Sequence, residues 1–398
     1  MMRRMSLVLA LCCGAAPAPA PAQELPFLKR SIKELEAWVR EDTNDSQRQY
    51  ALALAHWKHH DWRQTDSLLR LALRLDPRYA DAYLALGRLP YTRRPSLVDE
   101  EIRHAVPKDW QPIVEEADRF YKRAFRTDPM VGLQVMSLVN DMDEPQVSDF
   151  TPSGWLAYQR CCAWYFDLGL GRYRLASDRL TKLAQNEFDE AKHPDDVPDF
   201  ILWYRGLAAA HSLRYGPAIA DFRVLLDRSI KKTQRDEIVH VPLDDNEYRF
   251  VLATLHHLVG ESDSAIALYQ ESLEHDLGLV MAHTYLANIY EETGRAADAL
   301  LERRRATEVS EDDPSAWFDL AVSLFNTGQT VAADEPLRRA ISLNARFAPP
   351  YYLLGRVTEE LGLPDEAREH YTRFLALAPL RLETLRADAQ QRLEKLPK

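Results

Sequence analysis

The chain has 398 residues, of which 46% are apolar and 28% charged. That composition supports a buried core under a soluble surface and excludes wholesale disorder. With 50 basic against 61 acidic residues the net charge is −11, which excludes a non-specific nucleic-acid binder, because phosphate neutralisation needs clustered Lys and Arg.

The first 22 residues read as a secretory signal. Arg3 and Arg4 form the charged start, Met5 to Ala16 a short apolar stretch, and Ala20-Pro21-Ala22 a small-x-small cleavage site that leaves Gln23 as the new terminus. The expectation is export to the periplasm or cell envelope. A lipid-anchored form at Cys12 ranks lower, since Leu11 stands where a bacterial lipobox has a small residue. No later apolar run is long enough to span a bilayer, so no integral membrane span is expected in the mature chain. Cleavage leaves only the adjacent pair Cys161 and Cys162, which is no disulfide framework. The pair is expected as two small apolar residues of a helix.

The region 23–45 suggests a capping helix, with Ser31 and Glu34 at capping-box spacing. From residue 46 a helical hairpin pattern begins, carrying Leu52, Ala53, Trp62, Leu69, Ala72 and Pro77. Later units carry Leu86-Gly87 with Ala117, Tyr121 and Ala124, then Gly171, Tyr173 and Ala176, then Gly206, Tyr215, Ala218 and Phe222. Thereafter the period is strict. Gly260, Gly294, Gly328 and Gly362 recur every 34 residues, as do Ala265, Ala299, Ala333 and Ala367, and Leu252, Leu286, Leu320 and Leu354. A fixed period of this length signals a helical repeat array. Within 348–379, Tyr351, Leu354 and Gly355 mark a first helix, Gly362 ends it, and Pro364-Asp365 open a second that carries Ala367, Tyr371 and Phe374.

Those residues resemble the tetratricopeptide repeat. The resemblance implies an all-α, right-handed α-solenoid of stacked helical hairpins, about eight repeats over residues 46–379, with a polar-backed capping helix over 380–398. Inserts interrupt the period near 90–110, 131–154, 187–198 and 229–244. Trp110 would anchor the first, at the tip of a hairpin. The acidic stretch around Asp141, Asp143 and Glu144 lacks the oxygen spacing and turn glycine of a Ca²⁺ loop.

No residues form a nucleotide-binding, zinc or nucleophile motif. His59-His60 and His256-His257 are adjacent pairs that face apart on a helix. The reading is therefore non-catalytic, with no metal and no cofactor. The resemblance implies that the first helix of each unit lines a concave groove. That side would present Tyr50, Trp57, Tyr158, Tyr165, Trp203, Phe250, Phe318, Phe325 and Tyr352, with Thr284, Asn288, Arg356 and His257 as polar members. Only Asn288 and Arg356 stand in the columns of a carboxylate clamp, without its lysines. An aromatic groove suits an extended apolar peptide or an amphipathic helix, although an aromatic stripe at helical spacing is also what a core looks like. The function expected is a protein-protein interaction scaffold or adaptor of the bacterial cell envelope. The alternatives are a module that binds an envelope glycan or other polymer, and an enzyme with a site where an insert meets the groove.

Overall fold

A computed structural model describes residues 30–131, 151–233 and 245–397. The signal segment 1–22, most of the insert 131–154 and most of the insert 229–244 lie outside the described residues.

The regular structure of the described residues is helical. The helices are α1 (Ile32–Glu41), α2 (Ser46–Lys58), α3 (Trp62–Leu75), α4 (Ala80–Arg93), α5 (Leu97–Ile102), α6 (Gln111–Thr127) and α7 (Pro152–Cys161). There follow α8 (Ala163–Gly169), α9 (Tyr173–Glu187), α10 (Asp199–His211), α11 (Tyr215–Thr233), α12 (Asp245–Leu258) and α13 (Ser262–His275). The last are α14 (Val280–Glu292), α15 (Ala296–Val309), α16 (Pro314–Asn326), α17 (Thr330–Leu343), α18 (Pro349–Glu360), α19 (Pro364–Leu377) and α20 (Glu383–Lys395).

The chain divides into two compact units. One joins Arg30–Leu89 to Leu277–Lys398, and the other comprises Pro90–Asp276. In the first, the hairpins α2/α3, α14/α15, α16/α17 and α18/α19 form, and α15 stacks on α16, α17 on α18 and α19 on α20. In the second, α8/α9, α10/α11 and α12/α13 pair, and α9 stacks on α10 and α11 on α12. This is the all-α solenoid architecture of stacked helical hairpins.

One turn is built seven times. The residue that ends each first helix has φ between +58° and +80°: His60, Gly171, Leu213, Gly260, Gly294, Gly328 and Gly362. In every case the next N–H returns to the last turn of the helix, as Asp61 to the His56 carbonyl, Arg214 to Ala209, Glu261 to His256 and Leu363 to Thr358. This closure satisfies carbonyls that a helix end leaves open. Four of the seven are the glycines of the period. His60 and Leu213 hold the same left-handed geometry with a side chain, which costs about 1–2 kcal/mol at a non-glycine residue. Leu213 is 50% exposed, so its side chain contributes little packing in return. Leu213→Gly is therefore expected to stabilise the second unit by about 0.5–1 kcal/mol, read as a shift in urea midpoint.

The small columns let paired helices approach. Ala265, Ala299, Ala333 and Ala367 are at most 1% exposed. At Gly206 an added Cβ would meet the Phe222 ring at 2.9 Å, and at Gly355 the Tyr371 ring at 2.7 Å. Other hairpins hold Ala53, Ala253, Ala287 and Ala321 at this position, all fully buried.

The first and last described helices are each fixed by polar contacts. In α1 the Glu34 N–H donates to Ser31 Oγ (3.3 Å) and the Ser31 N–H to Glu34 Oε2 (2.8 Å), a complete capping box. At the other end Arg392 binds Asp388 (2.6 Å) and Glu359 (2.9 Å), while Tyr352 and Tyr371 donate their hydroxyls to the same two carboxylates, each at 2.7 Å.

The inserts within the described residues are tied down locally. In 90–110, α4 runs on to Arg93 through Pro90. Arg93 and Arg94 then cover the Trp110 ring at 5.8 and 5.3 Å, and Arg94 binds Glu100 at 2.8 Å. In 187–198, Glu190 is held by Arg205, and the Pro194 and Val197 carbonyls by Arg228. The cysteine pair differs from expectation. α7 ends at Cys161, and Cys162 is an exposed, non-helical junction with α8. The predicted single first helix of that unit is broken there.

Candidate partner-binding site

The column expected to line a groove divides by burial. In the second unit Tyr158, Tyr165 and Trp203 are half-buried. Tyr158 and Tyr165 both lie against Phe166, at 6.0 and 6.2 Å between ring centroids. Trp203 presents its edge to Phe222 (5.2 Å) and Tyr248 (6.0 Å). His257 of the same unit is half-buried, while Phe250 is buried against Tyr269 at 5.8 Å.

In the first unit the column is packed away. Tyr50 lies on Tyr79 at 5.0 Å and Trp57 on Trp62 at 6.3 Å. Phe318 meets Phe347 at 5.6 Å, and Phe325 lies under the Arg356 guanidinium at 5.5 Å. Tyr352 is fully buried between Tyr371 and Phe374, and its hydroxyl donates to Asp388 of α20. Burial, together with that bond to a carboxylate, pushes the Tyr352 phenol up to about 12. Thr284, Asn288 and Arg356 are also buried. These first-unit residues hold hairpins and repeats together. Substituting Phe318 by a charged residue would test the fold, not a partner contact.

Asn288 leads to a cluster that the column did not contain. Its Oδ1 accepts from Arg303 Nη2 at 2.6 Å, and Arg303 Nη1 donates to the Thr284 carbonyl at 3.3 Å. Arg303 is 2% exposed and also reaches Glu291 (3.2 Å) and Asp319 (3.5 Å). Asp319 in turn takes Arg78 at 2.6 Å, from the loop between α3 and α4. Burial opposes the charge on Arg78, but Asp319 and Asp313 more than restore it and hold its pKa above the ordinary arginine range. The sequence carried a signal for this cluster. Arg303 falls 34 residues from both Tyr269 and Leu337, in a column otherwise filled by apolar or aromatic side chains.

His211 gives the second unit a pH response. Its ring lies on Tyr173 at 5.0 Å and its Nε2 is 3.1 Å from the Met130 carbonyl. Burial holds its pKa below the ordinary histidine value, against the opposing pull of that carbonyl and of Asp128. The unfolded chain therefore takes up this proton first as pH falls, so the contribution is present above about pH 6.5 and lost below it. The urea midpoint of this unit is expected to fall between pH 7.5 and 5.5, and His211→Gln to flatten that slope.

Comparison with family models finds one of these repeats. The tetratricopeptide repeat model matches residues 348–379. Among solved structures, a crystal structure of MamA is 26% identical, with 36% of this chain and 91% of that chain covered and a TM-score of 0.31. A crystal structure titled MamA protein is 25% identical, covering 38% and 88%, with a TM-score of 0.32. MamA 41-end from Desulfovibrio magneticus RS-1 is 13% identical, covering 45% and 94%, with a TM-score of 0.37. No curated protein matches the chain. Residues 348–379 are thus a tetratricopeptide repeat, and the stacked hairpins of the chain are of that kind, a class of fold that serves in general as a protein-interaction scaffold. Among the described residues no helix is long and apolar enough to cross a membrane.

Proposed function

We propose that this protein is a non-catalytic scaffold or adaptor of the bacterial cell envelope, and that it holds a peptide or helix of a partner protein. The observation that carries the reading is the half-buried aromatic set Tyr158, Tyr165 and Trp203, set on stacked hairpins of the second unit. Partly exposed aromatic side chains on a rigid array offer apolar area at low entropic cost, which is what a partner anchor requires. The envelope location rests on residues 1–22, whose charged start, apolar stretch and small-residue cleavage site have the form of an export signal.

The test is in-cell crosslinking and pull-down of residues 23–398 tagged at the C-terminus, beside Tyr158→Glu/Tyr165→Glu. One or two proteins in near-equal ratio, lost from the double variant while its helical content persists, is the expected result. Recovery of the bait alone, with affinity for purified envelope polysaccharide, would replace the scaffold reading with a glycan-binding one. Fractionation of the native chain to the cytoplasm would remove the envelope from the proposal.

A further inference from the structure

The beginning of the chain is joined to the C-terminal repeats by a polar clasp. Asp42 Oδ2 accepts the Leu380 N–H at 2.6 Å, Asn44 Nδ2 donates to the Ala376 carbonyl at 3.0 Å, and Asn344 Nδ2 donates to the Arg74 carbonyl at 2.8 Å. Arg381 faces Asp45 at 3.8 Å. All four joins lie at the open end of the α2/α3 hairpin, before α2 or in the last turn of α3, and at the ends of α17 and α19. The fifth is Arg78, which passes further in and binds Asp319 on α16.

The charge balance around Asp319 explains why an arginine goes there. Arg303 of the array itself binds Glu291 and Asp319, while Asp319 and Asp313 both favour positive charge at the place Arg78 takes. Three carboxylates with only one guanidinium of the array among them leave room for a second cation. Arg78 supplies it, and it arrives from a part of the sequence more than two hundred residues away. The pair is mostly buried but not sealed, with 19% of the Arg78 side chain and 12% of the Asp319 side chain exposed. A join made of polar contacts selects its partner by charge complementarity, in a way that a packed apolar interface does not.

We infer that Arg78 is an intramolecular ligand, filling an arginine site at Asp319, beside Asp313, that an arginine-bearing segment of a partner protein takes over when the clasp opens. The inference rests on the scaffold reading for its biological use, but it concerns a different surface. A tethered ligand competes at an effective concentration in the millimolar range, so the closed chain screens out weak partners and admits those that match the site.

The experiment uses the full mature chain with its cysteines replaced and fluorophores at Arg63→Cys and Glu369→Cys. The probe is a synthetic peptide of residues 74–82, with a control peptide in which the residue equivalent to Arg78 is Glu. Arg78→Glu is expected to lengthen the label distance and to bind the probe at least about ten-fold more tightly than the native chain. Adding Asp319→Arg to that variant is expected to restore the short distance and abolish binding. The control peptide is expected not to bind. Equal affinity in native and Arg78→Glu chains, or opening without probe binding, would overturn the inference. Should Arg78→Glu lose its helical signal, the native labelled chain titrated with probe decides the matter. A distance increase that the control peptide does not produce supports the site, and no increase at millimolar probe overturns it. The crosslinking experiment reports separately: partners captured equally by native and Arg78→Glu chains would leave the scaffold standing and the arginine site refuted.

Discussion

Replacing Arg303 by Leu, the residue its column holds at Leu337, is expected to destabilise the first unit by about 3–5 kcal/mol. The substitution looks conservative by pattern, since it restores the apolar consensus of the repeat. The structure makes it costly. Arg303 is 2% exposed and satisfies Asn288, the Thr284 carbonyl, Glu291 and Asp319 at once. Leucine would take one cation from both Glu291 and Asp319 and remove the guanidinium that donates to Asn288 and to the Thr284 carbonyl. Breaking a buried charge network from one side leaves the other side uncompensated, and that penalty exceeds what the added methyl groups return. Hydrogen exchange over residues 280–326 is the measurement, because it localises the loss to α14–α16. Arg303→Lys keeps the charge without the planar fork and is expected to lose less. A Leu variant as protected as the native chain would show that the cluster is held by its carboxylates' access to water instead.

Gly355→Ala is expected to cost about 1–3 kcal/mol, the range for overpacking a filled core. Alanine is the residue that three neighbouring repeats carry here: Ala253, Ala287 and Ala321. At Gly355 the new Cβ would lie 2.7 Å from the Tyr371 ring. That ring cannot swing aside cheaply, because it is fully buried and its hydroxyl is fixed on Glu359 at 2.7 Å. Glu359 is also bound to Arg392 of the last helix, so the strain should spread to α20. The expected signature is a lower thermal midpoint together with faster exchange over residues 383–395. Combining Gly355→Ala with Tyr371→Leu, the pairing that Ala321 and Leu337 already make, is expected to recover part of the loss.

Much of the fold was legible because a repeat writes its rules several times. A left-handed turn selects glycine, close helix contact selects alanine, and a helix start selects proline or an acid, so the 34-residue columns report local geometry directly. The capping box at Ser31 and Glu34 is local in the same sense. His60 and Leu213 show the limit of that logic. The turn was there, but its signal was not, since closure by neighbouring hairpins forces the geometry on residues that do not favour it.

The candidate site was less legible. Helical spacing says that Tyr50, Phe318 and Tyr352 lie on one side of their helices, and it says nothing about what covers that side. Their burial depends on which surfaces the stacked repeats bring together, a long-range outcome that no window of sequence contains. The same holds for Arg78 and Asp319. Each is an ordinary charged residue in its own repeat, and only the joining of the first hairpin to the last repeats sets them 2.6 Å apart. The sequence by itself determined the repeat, its turns and its helical hairpins, because these follow from backbone conformation and nearest-neighbour packing. The tertiary structure alone decided which faces stay half-open, as at Tyr158, Tyr165 and Trp203, and which charges meet, because burial and ion pairing depend on contacts between residues far apart in the chain.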